Sequence, residues 1–312
     1  MIPIYMIRKL HKFLLLIVAA AILFSAGSAS AAARPRQGAE ILLDTYVRNS
    51  AKLQKNNFGI PIFMESHEKD DKVHVDVYGI FEHPFSSVVN VLKVPANWCD
   101  ILSLYPNIKA CTFRDQPGNG LLTLYLGRKV YQLPEDARQI IFHYRNTGLQ
   151  QGYLDTVLDA DAGPFGTKNH RLRVEAVPID GGKTFVHVSY AYSDSVALRL
   201  AGKIYFATLG RGKVGFTETG TDRSGAPVYI GGPRGALERN AVRCYFAIQA
   251  FMNSLDYPEE NRFSMRLNTW YDLTIRYRRQ LFDLDRKDYL TIKTAEHGNQ
   301  LSLQLRIGTA PL

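Results

Sequence analysis

The sequence of this 312-residue chain predicts an α+β fold in which an antiparallel β-sheet packs against a long helix. Strand-like phrases separated by turn-forming residues fill most of the stretch between residues 72 and 193. A stripe of apolar residues at helical spacing follows over 234–255 and predicts a helix with an apolar face of about five turns. Strands joined in sequence by hairpin-length turns pair antiparallel, and the sheet they form offers this helix a surface against which to bury its apolar face.

The amino terminus has the pattern of a cleaved secretory signal. Three basic residues precede an apolar run over 13–24, and a small-residue exit follows at 29–33. As a helix, this run would span about 18 Å, which is short of the roughly 30 Å hydrocarbon core of a bilayer. We therefore assign residues 1–33 to a signal peptide and expect a bacterial protein that is periplasmic or secreted. The alternative is a retained membrane anchor.

Residues 34–71 are predicted to form a helical lead-in, with an amphipathic helix over 39–56. The run 72–81 then alternates valines with polar residues, which is typical of a half-buried strand. Two short helices follow. Pro95 divides them, because its fixed φ ends one helix and suits the first turn of the next.

Six more strands are predicted, with turn-rich separators such as DQPGNG, LPED and DGG between them. They cover residues 108–115, 120–128, 138–146, 152–159, 170–179 and 183–193. After them we predict a helix over 195–210, a hairpin with its turn at 222–225, and the long helix. The tail then suggests two helices, of which the second begins at Asp285 as N-cap and ends near Gly298.

Two of the three cysteines, Cys99 and Cys111, lie at the end of a predicted helix and the start of a predicted strand. Export permits disulfides, and a bridge here would stabilise the fold by roughly 3 kcal/mol. The alternative is two free buried thiols. Cys244 lies on the apolar face of the long helix and is predicted to be a small buried hydrophobe.

The order of strand, two short helices, antiparallel strands and long helix resembles the helix-grip fold of the START-like superfamily, also known as the SRPBCC or polyketide cyclase group. The phrases over 85–98 and 163–193 and the closing helix carry the resemblance. It covers residues 72–256, and it leaves 257–312 as a C-terminal helical extension. The resemblance implies a curved sheet around the last helix, with a cavity that takes sterols, lipids, polyketides or aromatic compounds.

The dry faces of the predicted strands and helix supply the candidate ligand-binding residues of such a cavity. They are Phe142, Tyr144, Leu172, Val174, Val186, Val188, Tyr190, Leu237, Ala241, Tyr245 and Ile248. The alternative is that these residues pack only against one another. The leading hypothesis is a protein that binds a hydrophobic small molecule or lipid without transforming it, with no catalytic residue, metal or cofactor.

Two other classes of function stay open. A cyclase or hydratase would need an acid or base inside the cavity, and His143, His187, Tyr144 and Tyr190 qualify by residue type. An envelope protein that binds a partner would use the tail, whose basic and aromatic residues also suggest peripheral membrane contact. These tail residues are Arg262, Arg266, Arg276, Arg278, Arg279, Arg286, Lys287, Lys293, Trp270, Tyr271, Tyr277 and Tyr289.

Several other patterns match known motifs only in part, and their context speaks against the corresponding sites. The GxGxxG match over 210–215 follows a helix and enters a strand, the reverse of a dinucleotide site. Asp155, Asp159 and Asp161 lack the further ligands of a calcium loop. Ser189 beside His187 lacks a nucleophile elbow. The chain has a net charge of +9, but its basic residues are spread along the sequence without a block of five or six like charges. This distribution speaks against nucleic acid as a partner.

Overall fold

A computed structural model describes residues 38–116, 119–150, 152–194 and 212–309. The proposed signal peptide and the predicted helix over 195–210 lie outside these ranges, as does part of the GxGxxG match. The structure therefore does not test those predictions.

The described helices are α1 Gly38–Gln54, α2 Phe85–Leu92, α3 Pro95–Leu102, α4 Gly232–Ser254, α5 Glu259–Ile275, α6 Arg278–Leu281 and α7 Arg286–Thr309. The described strands are β1 Ile62–Lys69, β2 Lys72–Phe81, β3 Ile108–Gln116, β4 Asn119–Leu126, β5 Arg138–Gln150, β6 Tyr153–Ala162, β7 Lys168–Ile179, β8 Lys183–Ser193, β9 Glu218–Thr221 and β10 Pro227–Tyr229.

Eight strands form one antiparallel sheet in the order β1-β2-β8-β7-β6-β5-β4-β3, so that β1 and β3 are its two edges. The predicted strands are all present. Strand β1 was not predicted, because after Ile62, Phe63 and Met64 its residues are polar and half or fully exposed. Strands β9 and β10 form the predicted hairpin around residues 222–225.

Helix α4 packs across the inner face of the curved sheet, where it contacts β2 and β8. Gly79 on β2 permits this close approach, because a Cβ there would lie 2.2 Å from the hydroxyl of Tyr245 on α4. The Tyr245 ring also packs on Phe81, with ring centroids 4.9 Å apart. This arrangement confirms the predicted START-like helix-grip fold.

Helix α1 covers part of the opposite face of the sheet. Leu42 and Leu53 of α1 are buried in a second apolar cluster with Phe63, Val177 and Phe185 of the sheet. The sheet is therefore covered by helix on both faces, with the larger core on the α4 side.

The tail follows a different course from the one predicted. Asp285 does begin α7, since its carboxylate accepts a hydrogen bond of 2.9 Å from the amide of Asp288. The helix then continues past Gly298 to Thr309, and the short helix α6 precedes it. Contacts of Gln300 and Gln304 with the edge strand β3 anchor the extra turns.

The predicted disulfide between Cys99 and Cys111 is present, with 4.9 Å between the Cα atoms. It joins the end of α3 to β3. Cys244 is a free, buried cysteine, as predicted. Among the described residues, no helix combines the length and the apolar character needed to cross a bilayer.

Candidate functional site

A cavity of about 520 Å³ lies between the sheet and the first half of α4. This volume falls within the range of about 300–1,000 Å³ that is usual for small-molecule sites. Most of the wall is apolar. The apolar side chains of the wall include Leu102, Ile108, Leu124, Leu126, Ile140, Phe142, Leu158, Leu172 and Leu237.

The alternation of side chains along β5 shows how strands supply this wall. Ile140 and Phe142 are buried and line the cavity, whereas Ile141 between them is 53% exposed on the other face. On α4, the lining residues Ala236, Leu237, Asn240 and Cys244 recur at helical spacing. In both β5 and α4, the residues on one side of the element line the cavity.

Four of the eleven predicted lining residues lie on the cavity wall: Phe142, Leu172, Tyr190 and Leu237. The other seven belong to the surrounding core and do not line the cavity. They are Tyr144, Val174, Val186, Val188, Ala241, Tyr245 and Ile248. The reason is that the middle of α4 lies directly on β2 and β8, so that the cavity is left beside the first half of α4, where β3 to β7 and the end of β8 supply the sheet side of its wall.

The cavity wall also carries a short chain of hydrogen-bonded polar groups. His170 of β7 is 6% exposed, and its Nδ1 lies 2.9 Å from the hydroxyl of Tyr190. Its Nε2 lies 2.8 Å from Oγ1 of Thr167, and that oxygen lies 2.7 Å from the carbonyl oxygen of Pro164. Burial lowers the pKa of His170 to about 4, so the imidazole is neutral near pH 7. Sequence reasoning missed His170, because a single histidine in a strand carries no pattern of its own.

Three further polar groups line the cavity beside α4. The hydroxyl of Tyr105 donates to the carbonyl oxygen of Asn240 at 2.9 Å, which fixes its ring on the helix. The thiol of Cys244 lies beside Tyr105, and burial raises the pKa of this thiol to about 12. These groups are therefore neutral, and they add no charge to the apolar interior.

Exposed polar side chains of the 127–137 loop mark the end where the cavity opens. Arg128 and Asp136 of this loop, and Arg138 at the start of β5, are exposed and line this end. Gln132 braces the loop, since its Oε1 accepts from the amide of Arg128 at 3.1 Å and its Nε2 donates to the carbonyl oxygen of Asp136 at 2.6 Å. Charged groups thus lie at the opening, and uncharged ones lie inside.

Of the four acid or base candidates named from the sequence, Tyr190 alone lies in the cavity. His143 is exposed, and Tyr144 donates from its buried hydroxyl to the carbonyl oxygen of Leu92 at 2.9 Å. His187 lies on the opposite face of the sheet, between Asp76 and Glu175.

Two of the three aspartates that were set aside, and the serine, are engaged elsewhere. Asp155 is paired with Arg173 at 2.8 Å, and Asp159 with Arg145. Ser189 lies 2.8 Å from Nε2 of His74, and so does not face His187 as a nucleophile. Within the part of the chain that the structure describes, no group of three His, Cys, Asp or Glu side chains is placed to hold a metal ion.

No protein-family model and no curated protein matches the sequence. Among solved structures, the chain is similar to human StAR-related lipid transfer protein 5, with 9% identity over 55% of this chain and 88% of that one, and a TM-score of 0.30. A STAR-related lipid transfer protein from Xanthomonas axonopodis matches at 15% identity over 50% and 92% of the two chains, with a TM-score of 0.34. A conserved protein of unknown function from Enterococcus faecalis matches at 8% identity over 84% and 97%, with a TM-score of 0.31.

Proposed function

We propose that this chain, which has the START-like fold, binds one hydrophobic small molecule or lipid in the cavity between the sheet and α4. The observation that supports this most is the cavity of about 520 Å³, whose wall is mostly apolar. Each Å² of apolar surface that a ligand buries there contributes about 25 cal/mol to binding. His170, Tyr190 and Tyr105 of the wall are hydrogen-bonded to the protein, so a ligand with an apolar body leaves these groups satisfied when it enters.

Mass spectrometry of gently purified protein under native conditions tests this proposal. We expect a co-purifying apolar molecule that organic solvent extracts. The matched variants are Ile140→Trp, which fills the cavity, and Ile141→Trp, which places the same ring on the exposed face one residue away. Ile140→Trp is expected to lose the ligand and Ile141→Trp to keep it. An empty wild-type cavity that takes up no added lipid would contradict the proposal.

We further propose that the protein acts in the periplasm or outside the cell. The leader pattern over 1–33 supports this location, and so does the disulfide between Cys99 and Cys111, since such bonds persist in oxidising compartments. Fractionation of cells that make the full chain provides the test. We expect the shortened, oxidised protein in the periplasmic or external fraction; a full-length, reduced protein in the cytosol would contradict this.

We propose that the C-terminal extension contacts an anionic membrane surface through α7, and not through the basic and aromatic residues that the sequence suggested. Several of its basic and aromatic residues are engaged within the protein: Arg266 pairs with Asp100 at 2.6 Å, and Trp270 stacks on buried Tyr289. Leu301 and Leu305 lie one turn apart on α7, and 52% and 72% of their surfaces are exposed. Without the three basic residues of the leader the chain keeps 35 Lys and Arg against 29 Asp and Glu, a net charge of +6, which favours an anionic surface as the partner.

Flotation with vesicles of phosphatidylglycerol and phosphatidylethanolamine tests this contact. Replacing Leu301 and Leu305 by serine is expected to reduce the bound fraction. Replacing Leu43 and Val47, an exposed apolar pair on α1, is the matched control and is expected to leave it unchanged. Equal binding by both double variants would contradict a contact through α7.

One observation favours the alternative of a cyclase or hydratase, namely the buried pair of His170 and Tyr190 in the cavity. A general base works best with a pKa near the working pH, whereas that of His170 is lowered to about 4 and burial raises that of Tyr190. Binding without reaction therefore agrees better with the geometry. Ligands recovered from wild type and His170→Ala are expected to have equal masses. A difference of one water would favour the enzyme.

A further inference from the structure

The positions of the protons in the chain from Thr167 to Tyr190 follow from the hydrogen bond at its end. Oγ1 of Thr167 lies 2.7 Å from the carbonyl oxygen of Pro164. A carbonyl oxygen can only accept, and two oxygens at this distance need a proton between them. The single hydroxyl proton of Thr167 is therefore directed to Pro164.

The same reasoning then fixes the tautomer of His170. Since Thr167 has no second proton, Nε2 of His170 must donate across the 2.8 Å that separates it from Oγ1. A neutral imidazole carries one N–H, so Nδ1 is left with a lone pair only. The low pKa of His170, which results from burial, keeps the ring in this neutral form near pH 7.

Tyr190 is the last member of the chain and lines the cavity, as do Thr167 and His170. Its hydroxyl lies 2.9 Å from Nδ1 of His170, and it must donate there because Nδ1 can only accept. The oxygen of Tyr190 has then used its proton, and its lone pairs are what it can offer to a molecule in the cavity. It is an acceptor and not a donor.

The imidazole that imposes this polarity is held in place on several sides. The ring of Tyr192 stacks on it, with centroids 5.5 Å apart and planes at 17°, and Phe142 meets it edge-on at 6.5 Å. Gly163 lies against its third side, where a Cβ would be 2.0 Å from Nε2. The imidazole of His170 therefore has little freedom to rotate, and its two nitrogens stay directed at Thr167 and Tyr190.

We propose that the hydroxyl oxygen of Tyr190 is a polar subsite of the cavity that accepts a hydrogen bond from an O–H group on an otherwise apolar ligand. This inference rests on the proposed binding function and narrows it to apolar alcohols. Ketones, ethers and carboxylates of the same skeleton bring only acceptor oxygens. These oxygens cannot form a hydrogen bond with the lone pairs of Tyr190. Thr167 acts as a positioning residue, since its hydroxyl sets the tautomer of His170.

Calorimetry with paired probes on the full chain tests the subsite. The pairs are 2-naphthol with 2-methoxynaphthalene, and dodecan-1-ol with 1-methoxydodecane; each ether keeps the skeleton of its alcohol and removes the donor. We expect wild type to bind the alcohol about tenfold more tightly than the ether, which is the effect of one satisfied hydrogen bond. Tyr190→Phe keeps the ring and is expected to bind both members of a pair equally.

A second variant tests whether the positions of the protons, and not only the presence of the Tyr190 hydroxyl, cause the preference for alcohols. In Thr167→Val, His170 is free to carry its proton on Nδ1 and donate to Tyr190, whose own proton can then be given to an ether oxygen. We expect the alcohol-to-ether ratio to fall toward one through tighter binding of the ether. Circular dichroism confirms that both variants fold.

Each remaining outcome has a definite meaning. Equal affinity of alcohol and ether in wild type, or a full ratio retained in Tyr190→Phe, would overturn the subsite and leave the proposed binding function standing. An unchanged ratio in Thr167→Val would overturn the proton arrangement. If none of the four probes binds, the proposed function fails, and this inference fails with it.

Discussion

Gly163 shows how a single residue controls the geometry of the cavity. Its φ of −131° is open to any residue, so the requirement for glycine comes from the imidazole of His170, which occupies the place of a side chain. We predict that Gly163→Ala displaces His170 and lowers the free energy of unfolding by about 1–3 kcal/mol, as overpacking does. Urea denaturation measures this loss.

The control for this substitution is Gly298→Ala. Gly298 lies inside α7, and nothing lies within 4 Å of an added Cβ. Alanine is the better helix former, so this variant is expected to gain about 0.5–1 kcal/mol. A Gly163→Ala protein as stable as wild type would contradict the tight contact with His170.

His187 makes stability depend on pH. Its ring nitrogens lie 2.8 Å from an oxygen of Asp76 and 2.9 Å from one of Glu175. Burial lowers the pKa of His187, but these two hydrogen bonds outweigh burial and raise the pKa above its ordinary 6.5. The folded protein therefore holds a proton that the unfolded chain releases. This stabilisation is complete below about pH 6.5 and is lost as the pH rises through the folded pKa.

We predict that the free energy of unfolding of wild type falls as the pH rises above about 6.5. His187→Gln is expected to flatten that part of the curve and to lower stability at pH 6 by about 1–3 kcal/mol, because half-buried Asp76 and buried Glu175 lose a charged partner. Denaturation with urea across the pH range measures both effects. His143→Gln, at an exposed position, is the control. A slope that His187→Gln leaves unchanged would contradict this origin.

At the scale of elements, α7 satisfies the edge strand β3 with side chains where a neighbouring strand would use its backbone. The amides of Cys111 and Phe113 each donate to a glutamine oxygen at 2.8 Å, from Gln300 and Gln304. Below them, Lys109 of β3 and Lys293 of α7 both bind the buried carboxylate of Glu296. The helix and the strand are thus joined through polar contacts that exclude water.

We predict that Gln300→Leu lowers the free energy of unfolding by about 1–3 kcal/mol, since it leaves the buried amide of Cys111 without an acceptor. Gln304→Leu is expected to have a smaller effect, because Gln304 is only half-buried and water can replace it. Hydrogen exchange of the two amides reports which contact is lost. Equal and negligible losses in both variants would show that α7 does not seal this edge.

The elements themselves follow from local sequence pattern to different degrees. Alternating valines predicted β2, because they report its one buried face, and an apolar stripe predicted α4, which is in fact buried on most of its sides. Strand β1 lacked such a pattern, because most of its side chains face solvent. The end of α7 was misplaced at Gly298, since glycine favours a helix end and the anchoring contacts with β3 are distant in sequence.

The cavity was predictable only in outline. Val188 and Tyr190 lie two residues apart on the same face of β8, yet Tyr190 lines the cavity and Val188 is fully buried in the core. The difference depends on how far α4 stands from the sheet at each point, which is a property of tertiary packing. Sequence pattern identifies the dry face, but it does not tell which part of that face remains uncovered.

At the scale of the whole molecule, the disulfide joins parts of the fold that meet on the α7 side of the sheet. Cys99 lies at the end of α3, and Cys111 lies on β3, the strand that α7 covers. We predict that replacing both cysteines by serine lowers the free energy of unfolding by roughly 3 kcal/mol, as expected for a loop of this length. Chemical denaturation measures the loss.

Reduction of the wild-type protein is the control for that double variant, and it should reproduce the same loss of stability. After unfolding without reductant, one thiol per chain should react with iodoacetamide, since Cys244 is the free cysteine. Three reactive thiols would show that the bridge is absent.

The cover that α7 lays over β3 has a consequence for damaged chains. A chain that is cleaved or terminated before Glu296 keeps the strand but loses the glutamine oxygens that accept from its outer backbone amides, and with them the carboxylate that binds Lys109. An uncovered strand edge is a template for strand addition by another copy. Nicked or shortened forms of this protein are therefore expected to gather into oligomers through β3, whereas the intact chain keeps that docking edge closed.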